Sequence, residues 1–252
     1  MKLIDLSVTL EPVSSEPIPV DIHYISHEQG ADILGKPAGI DRKAFPDSKG
    51  ISLEHIKLTS HSGTHVDAPA HYGPICEGKP ARTIEQMPLH WFFSDGVMID
   101  CSDGAVDRTV SQAELQQKLA DIEYVLKPYD IVLLQTGADK HWGQPEYFTD
   151  FRGVSREATE WLVKQGIRVI GIDSFGFDPP FHRMLSDYHK WKCSDVLWPA
   201  HIYGREREYC QIERLVNLCH LPVNYGFKIT CFPIKIRGCG AGWSRVVAIV
   251  DA

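Results

Sequence analysis

Four side chains able to bind a metal ion crowd into one short stretch, His61-Ser62-Gly63-Thr64-His65-Val66-Asp67-Ala68-Pro69-Ala70-His71. Neutral imidazole nitrogen and carboxylate oxygen are the ligand set of borderline divalent ions such as zinc and manganese. His61, His65, Asp67 and His71 are all odd-numbered, so a strand would put them on one face. A straight strand would still hold His61 and His65 about 13 Å apart, too far to share an ion. A helix is opposed by Gly63 and Pro69, and it would carry Asp67 off the face shared by His61 and His65. The chain must therefore bend between the first two histidines. Gly63 permits the bend and a close approach of backbone to the ion, and Pro69 stiffens the exit towards His71. A single histidine in a chain with 12 of them reads as an ordinary hydrogen-bonded residue. Four ligand side chains around a glycine hinge read as the first half of a metal site.

The elements that position this stretch follow from periodicity. Residues 3–10 read as a strand, and residues 50–59 alternate and deliver the chain to His61 as another, so the motif sits at a strand end on a rigid scaffold. Between them, residues 11–50 are rich in Pro, Gly and charge and read as a long covering loop of the kind that serves as a lid. His23, Tyr24 and Phe45 in that loop are available to wall a pocket or to anchor the surface. Residues 96–100 read as a short buried strand. Ser111-Gln112-Ala113-Glu114 forms a capping box for a helix with Leu115, Leu119 and Ile122 on its period. Ile131-Val132-Leu133-Leu134 lies in a fully buried strand, residues 130–136. Ser155 caps a second helix that Gly166 stops, and residues 167–173 return as a buried strand. Strand, helix and strand on short links imply right-handed crossovers and a layered α/β architecture.

Residues 175–207 read as a long irregular excursion carrying His182, His189, Trp198 and His201. Residues 209–218 read as a buried segment in which Glu213 requires a partner, because an unpaired buried charge is costly. Residues 226–236 and 243–250 alternate as closing strands. The glycine cluster at 238–242 lacks the strand and helix context of a dinucleotide loop and reads as a hairpin.

The length of 252 residues with 43% hydrophobic and 23% charged side chains suits a single domain spanning 1–252. A net charge of -7 with no basic stripe argues against nucleic acid. No run approaches the roughly 18 apolar residues that span a bilayer. Met1-Lys2-Leu3-Ile4-Asp5-Leu6 reads as a strand rather than a signal peptide. Seven cysteines without a Cys-x-x-Cys pair read as reduced thiols of a cytoplasmic protein, with Cys210, Cys219 and Cys231 as small core residues. Neither a Gly-x-Ser-x-Gly elbow nor a His-Glu-x-x-His zinc motif is present.

The stretch from His61 to His71 resembles the signature of the cyclase-like metal-dependent hydrolases, the group that includes bacterial kynurenine formamidases and isatin hydrolases. The likeness continues through Leu3-Ile4-Asp5-Leu6-Ser7, Leu134-Gln135-Thr136-Gly137, Gly171-Ile172-Asp173 and Ile212-Glu213-Arg214-Leu215-Val216-Asn217-Leu218. The resemblance implies a curved mixed β-sheet or barrel-like core flanked by helices, in homodimers or homotetramers. It also implies His61, His65 and Asp67 as metal ligands and His71 as the group that handles the proton. A His and a Glu twelve positions apart complete a two-metal site in the formamidases, and His201 and Glu213 keep that spacing. His182, in Phe181-His182-Arg183-Met184-Leu185, matches the local words around that histidine better but lies far upstream. The segment between Asp173 and Glu213 is longer here than in the smaller formamidases.

The chemistry so implied is hydrolysis of an amide, formamide, cyclic amide or lactone by a water activated on one or two zinc or manganese ions, with His71 as general base. Trp142, Phe175, Phe177 and Trp198 suit a ring-bearing small-molecule substrate, although the same residues can pack the excursion. Two other readings rest on ligand type. His65 and Asp67 with His201 or His220 would make the facial triad of a non-haem iron oxygenase. A closed four-ligand ion would make a binding or structural protein without catalysis.

Overall fold

Every residue of Ile131-Val132-Leu133-Leu134 is fully buried, because the sheet that contains it is covered on both faces. In the computed structural model, which describes residues 1–251, β1 (Lys2–Asp5) leads to an arm of β2 (Asp21–Ile25), α1 (His27–Gly35) and β3 (Leu53–Lys57). There follow β4 (His65–Asp67), the short helix α2 (Pro69–Tyr72) and a ribbon of β5 (Ile75–Cys76) and β6 (Lys79–Pro80). The crossover region comprises β7 (Phe93–Asp100), α3 (Gln112–Asp121), β8 (Ile131–Gln135), α4 (Glu146–Thr149), α5 (Arg156–Lys164) and β9 (Val169–Ile172). Helices α6 (Phe181–Trp191) and α7 (Pro199–Tyr203) precede β10 (Cys210–Glu213), and β11 (Tyr225–Thr230), β12 (Ala241–Trp243) and β13 (Val247–Val250) finish the chain.

Nine strands form one sheet in the order β1-β13-β11-β7-β8-β9-β10-β4-β12. Neighbours from β7 to β10 run parallel and the remaining pairs antiparallel, so the sheet is mixed. It curls into a half-barrel: the Val216 N–H donates to the Leu6 carbonyl at 3.1 Å and Ser7 pairs with Leu215, which brings the segments after β1 and β10, well separated in the strand order, together. Because successive side chains alternate faces, Ile131 and Leu133 join Val66, Ile212 and Phe227 inside the curl, while Val132 and Leu134 join Ile170 and Ile172 under α3 and α5. This is the curved mixed sheet flanked by helices that the family resemblance implies. No helix among the described residues is long and apolar enough to cross a membrane.

Local signals hold at helix starts with one exception. Ser155 accepts from the Ala158 N–H at the start of α5, as its residue type predicts. Ser111 likewise accepts from the Glu114 N–H, but the Glu114 carboxylate turns away to the Arg152 guanidinium at 2.9 and 2.7 Å, so only half of the capping box forms. A charge-assisted bidentate pair outcompetes a single bond to the backbone.

Four expectations need correction. Residues 11–50 are not a structureless loop, since β2 and α1 lie within them and Ser26 caps α1 with a full capping box. The strand before His61 pairs with β2 in a separate ribbon rather than joining the main sheet. The excursion after Phe175 contains α6, a helix of eleven residues. Cys219 is exposed on a turn, unlike the buried Cys210 and Cys231, because the apolar run containing it ends in that turn instead of continuing as a strand.

Asp173, directly after β9, knits the strand ends together. Its carboxylate accepts the Thr136 N–H at 2.8 Å, the Thr136 hydroxyl at 2.5 Å and the Gly137 N–H at 2.7 Å. Burial pushes this carboxyl up to about 7 against the pull of those donors. The folded state therefore binds the proton more tightly than the unfolded chain, and the contribution of this group to stability falls as the pH rises from about 4 to about 7. Asp173→Asn sets an NH2 against those donors, and urea titration is expected to show a loss of about 1–3 kcal/mol at pH 5. The variant should also lack this part of the parent's decline between pH 4 and 7.

Candidate metal centre

The three residues of β4 are held between β10 and β12. In that register His65 stands opposite Glu213, and Asp67 opposite Gln211. The period of two puts His65 and Asp67 on one face of β4. His61 reaches the same place from the turn before β4, where the Ser62 N–H donates to the Thr59 carbonyl at 3.1 Å and Gly63 has φ +60°. A Cβ on Gly63 would lie 2.5 Å from the Leu10 side chain, so both conformation and space call for glycine there. The bend required by the spacing of His61 and His65 is therefore present. His71 sits on α2, which Pro69 opens from a position where no backbone donor is needed.

These side chains converge. His61 Nδ1 lies 3.0 Å from Asp67 Oδ1 and 3.3 Å from His65 Nε2. His65 Nε2 lies 3.4 Å from Asp67 Oδ1 and 3.6 Å from Glu213 Oε2. His201 Nε2 is 3.9 Å from both Asp67 Oδ2 and Glu213 Oε1. The His71 ring is 4.1 Å from that of His61 and 5.3 Å from that of His201, centroid to centroid. Two groups each bring three ligand atoms within 4.8 Å of one another: His61, Asp67 and His71, and His65, Asp67 and Glu213. Asp67 belongs to both.

Hydrogen bonds outside the cluster orient two of the rings. His65 Nδ1 lies 2.8 Å from the Gly63 carbonyl, which can only accept, so Nδ1 carries the proton and Nε2 keeps its lone pair. His201 Nδ1 lies 2.5 Å from Asp178 Oδ2, which points Nε2 into the cluster, and Asp178 also accepts the N–H groups of Ala200 and His201. A carboxylate behind an imidazole is the usual support of a ligand histidine. Asp178 was not singled out by sequence reasoning: it lies in Phe177-Asp178-Pro179-Pro180, and nothing in that word couples it to a histidine 23 positions later.

Electrostatics follow from this crowding. Burial opposes ionisation of Asp67, but His71, His65 and His61 overcome it and hold the carboxyl well below the usual range. Burial and the Asp67 charge raise Glu213. The imidazole of His201 is pushed up to about 9, since Asp178, Glu213 and Asp67 outweigh its burial. Desolvation, joined by repulsion from His201 and His61, brings His71 down to about 4, so it is a free base at neutral pH. Both oxygens of Asp67 are buried and accept no well-aligned hydrogen bond, with His61 Nδ1 standing 3.0 Å from Oδ1. Such a carboxylate among imidazoles fits a divalent cation.

A cavity of about 240 Å³ opens on the cluster, with His61, His71, His201 and Glu213 at one end. Its walls include Phe148, Phe151, Phe175, Phe177, Phe181 and Trp198. Phe175, Phe177 and Trp198 are thus where sequence reasoning wanted them, whereas Trp142 packs edge-on against Tyr147 and lines no part of this cavity. His182 faces a separate cavity beside Asp107, Asp150 and Asp187, and His220 is exposed on a turn. Neither joins the cluster, and His201 does. His23, Tyr24 and Phe45 also stay outside the cavity wall.

The curled sheet and this site define a known class. The chain belongs to the family described as putative cyclase, whose sequence profile matches residues 4–179. Over 199 residues it is 25% identical to a kynurenine formamidase of Erythrobacter litoralis, which covers 78% of this chain and 76% of that protein. A kynurenine formamidase of Bordetella petrii is 28% identical over 139 residues, 55% of this chain and 59% of that protein. Among solved structures, an isatin hydrolase bound to the product analogue thioisatinate superposes with a TM-score of 0.77 at 20% identity, over 100% of this chain and 93% of the other. Isatin hydrolase A from Ralstonia solanacearum gives 0.76 at 22% identity, over 99% and 92%. These two likenesses establish the shared fold.

Because an ion at Glu213 and His201 must displace the His201 proton, apparent affinity is expected to rise with pH up to about 9. Competition titrations with a coloured chelator at pH 6, 7.5 and 9 read that slope. Metal at a hundredfold excess over its Kd should add about 2.7 kcal/mol to stability, an effect measured as a chelator-sensitive melting temperature that Asp67→Asn abolishes.

Proposed function

We propose that this protein is a metal-dependent hydrolase that opens a carbon–nitrogen or carbon–oxygen bond at the carbonyl of a small ring-bearing molecule: an amide, formamide, cyclic amide or lactone. One observation carries the reading: Asp67, buried with its oxygens facing imidazole nitrogens, is shared by two three-ligand groups at the end of an aromatic-walled cavity. The functions named for the relatives, kynurenine formamidase and isatin hydrolase, agree with it. His61, His65, Asp67, His201 and Glu213 would hold one or two divalent ions, zinc or manganese by donor type. When bound, such an ion polarises the substrate carbonyl and lowers the pKa of a water.

The protein's own groups supply the remainder. His71, neutral at pH 7 and beside His61 and His201, takes the proton of the attacking water and returns it to the leaving nitrogen or oxygen. The phenylalanines and Trp198 hold a flat ring by edge and face contacts and exclude bulk water from the carbonyl. An iron oxygenase built on His65, Asp67 and His201 would leave His61, His71 and Glu213 crowded into the same cluster without a task, which favours hydrolysis.

His71 also lies within ligand reach of His61 and Asp67, which gives the second reading, His71 as a metal ligand. We also propose a homodimer or homotetramer in the cytoplasm. The apolar residues Ile33, Leu34, Ile51, Leu53 and Ile56 exposed on the arm support the assembly, and seven unpaired cysteines support the compartment.

Elemental analysis of protein purified without added metal should find one or two zinc or manganese ions per chain, and hydrolysis of aryl formamides, cyclic amides and lactones should stop on chelation and resume on metal return. Metal-free protein with full activity would sink the reading. His71→Ala should lower kcat by about 10²–10⁴ with metal content unchanged, whereas parallel loss of metal would make His71 a ligand. Sedimentation velocity should find a dimer or tetramer, and a monomer at micromolar concentration would refute the assembly.

A further inference from the structure

Outside the candidate ligand set, one buried ion pair connects its two halves. Arg214 follows Glu213 directly and adopts a left-handed backbone conformation, φ +62°, which non-glycine residues keep only when their surroundings enforce it. Its Nη1 donates to Glu16 Oε1 and Oε2 at 2.5 and 2.7 Å, and the two side chains are 5% and 4% exposed. Glu16 Oε1 also accepts the Gly63 N–H at 2.8 Å. Gly63 in turn offers its carbonyl to His65 Nδ1. The Arg214 carbonyl accepts the Thr64 hydroxyl at 2.6 Å, and the guanidinium lies 4.2 Å from the centre of the Phe175 ring, part of the cavity wall.

Glu16 thus grips the turn that sets His61 and His65 and, through Arg214, the strand end that sets Glu213. It belongs to the segment between β1 and β2, far in sequence from either. A buried pair of this kind is a poor source of net stability, because desolvating two charges offsets their attraction. Its placement is better explained by what it aligns.

We propose that Glu16 is a positioning residue: through Gly63 and Arg214 it fixes the separation between the His61–His65 turn and Glu213, and so tunes metal affinity without touching the ion or the substrate. This rests on the metal-hydrolase reading. The probe is cobalt(II), added to the intact protein, with affinity read by chelator competition and ligand geometry by visible absorption. Glu16→Gln should weaken cobalt binding about 10–100-fold, the usual effect of removing a support behind a ligand, and shift the absorption bands. Because Glu16→Gln leaves Arg214 buried and unpaired, a second variant, Glu16→Leu with Arg214→Met, removes both charges and keeps an apolar fill. It should recover thermal stability yet retain the weakened binding and altered spectrum. Parent-like cobalt affinity and spectrum in the double variant would overturn the proposal and leave the pair a structural one. Failure of the parent itself to bind cobalt would overturn the hydrolase reading and this proposal together.

Discussion

A carboxylate buried among imidazoles, with no well-aligned hydrogen bond to either oxygen, is the constraint on which the rest of the structure depends. Asp67 sits in the sheet with β10 and β12 on either side, so the backbone ladder fixes its position regardless of what its side chain prefers. Around it the protein gathers imidazoles and a second carboxylate, an arrangement in which like groups repel and buried polar atoms go unpaired. A fold tolerates such a cluster when it is secured by unrelated interactions: apolar packing on both faces of the sheet and main-chain pairing on both edges of β4. Departure from local rules of this kind concentrates where function resides.

Support spreads outward from Asp67 in two directions. On one side Asp178 aims His201 and steadies the start of α7, so the excursion between β9 and β10 is anchored to the cluster at the residue that enters it. On the other side the Gly63 turn depends on a carboxylate from the N-terminal segment. The parallel strands β7 to β10 with their helices form the back of the molecule, and the phenylalanines that wall the cavity lie on segments that follow β8 and β9. This division between scaffold and site-bearing loops is common among α/β folds.

Sequence alone made the buried strands and the bend at Gly63 legible, because each has a local cause: an unbroken apolar run at β8, and two candidate ligands too far apart to meet without a turn. The convergence of His201 and Glu213 with that turn came from family resemblance, since no local signal links residues so distant. Residues 11–50 read as a loop because β2 buries only Ile25 and α1 only Gly30, Ala31 and Gly35, so neither element carries an apolar period. Helix α6 was hidden behind Pro179-Pro180 and by a mixed polar and aromatic sequence that buries only Met184. Asp178 and Glu16 act through tertiary contacts that no spacing rule encodes.

The place of β4 in the interior of the sheet carries a kinetic consequence. Amide hydrogens in a strand paired on both sides exchange with solvent only when a large cooperative unit opens, whereas a peripheral ribbon frays and recloses far more often. Two lifetimes therefore coexist in one chain, a long one at the candidate ligands and a short one in the arm. Because the aromatic-walled cavity opens on these side chains from beside the strand, access to them does not require the sheet to part.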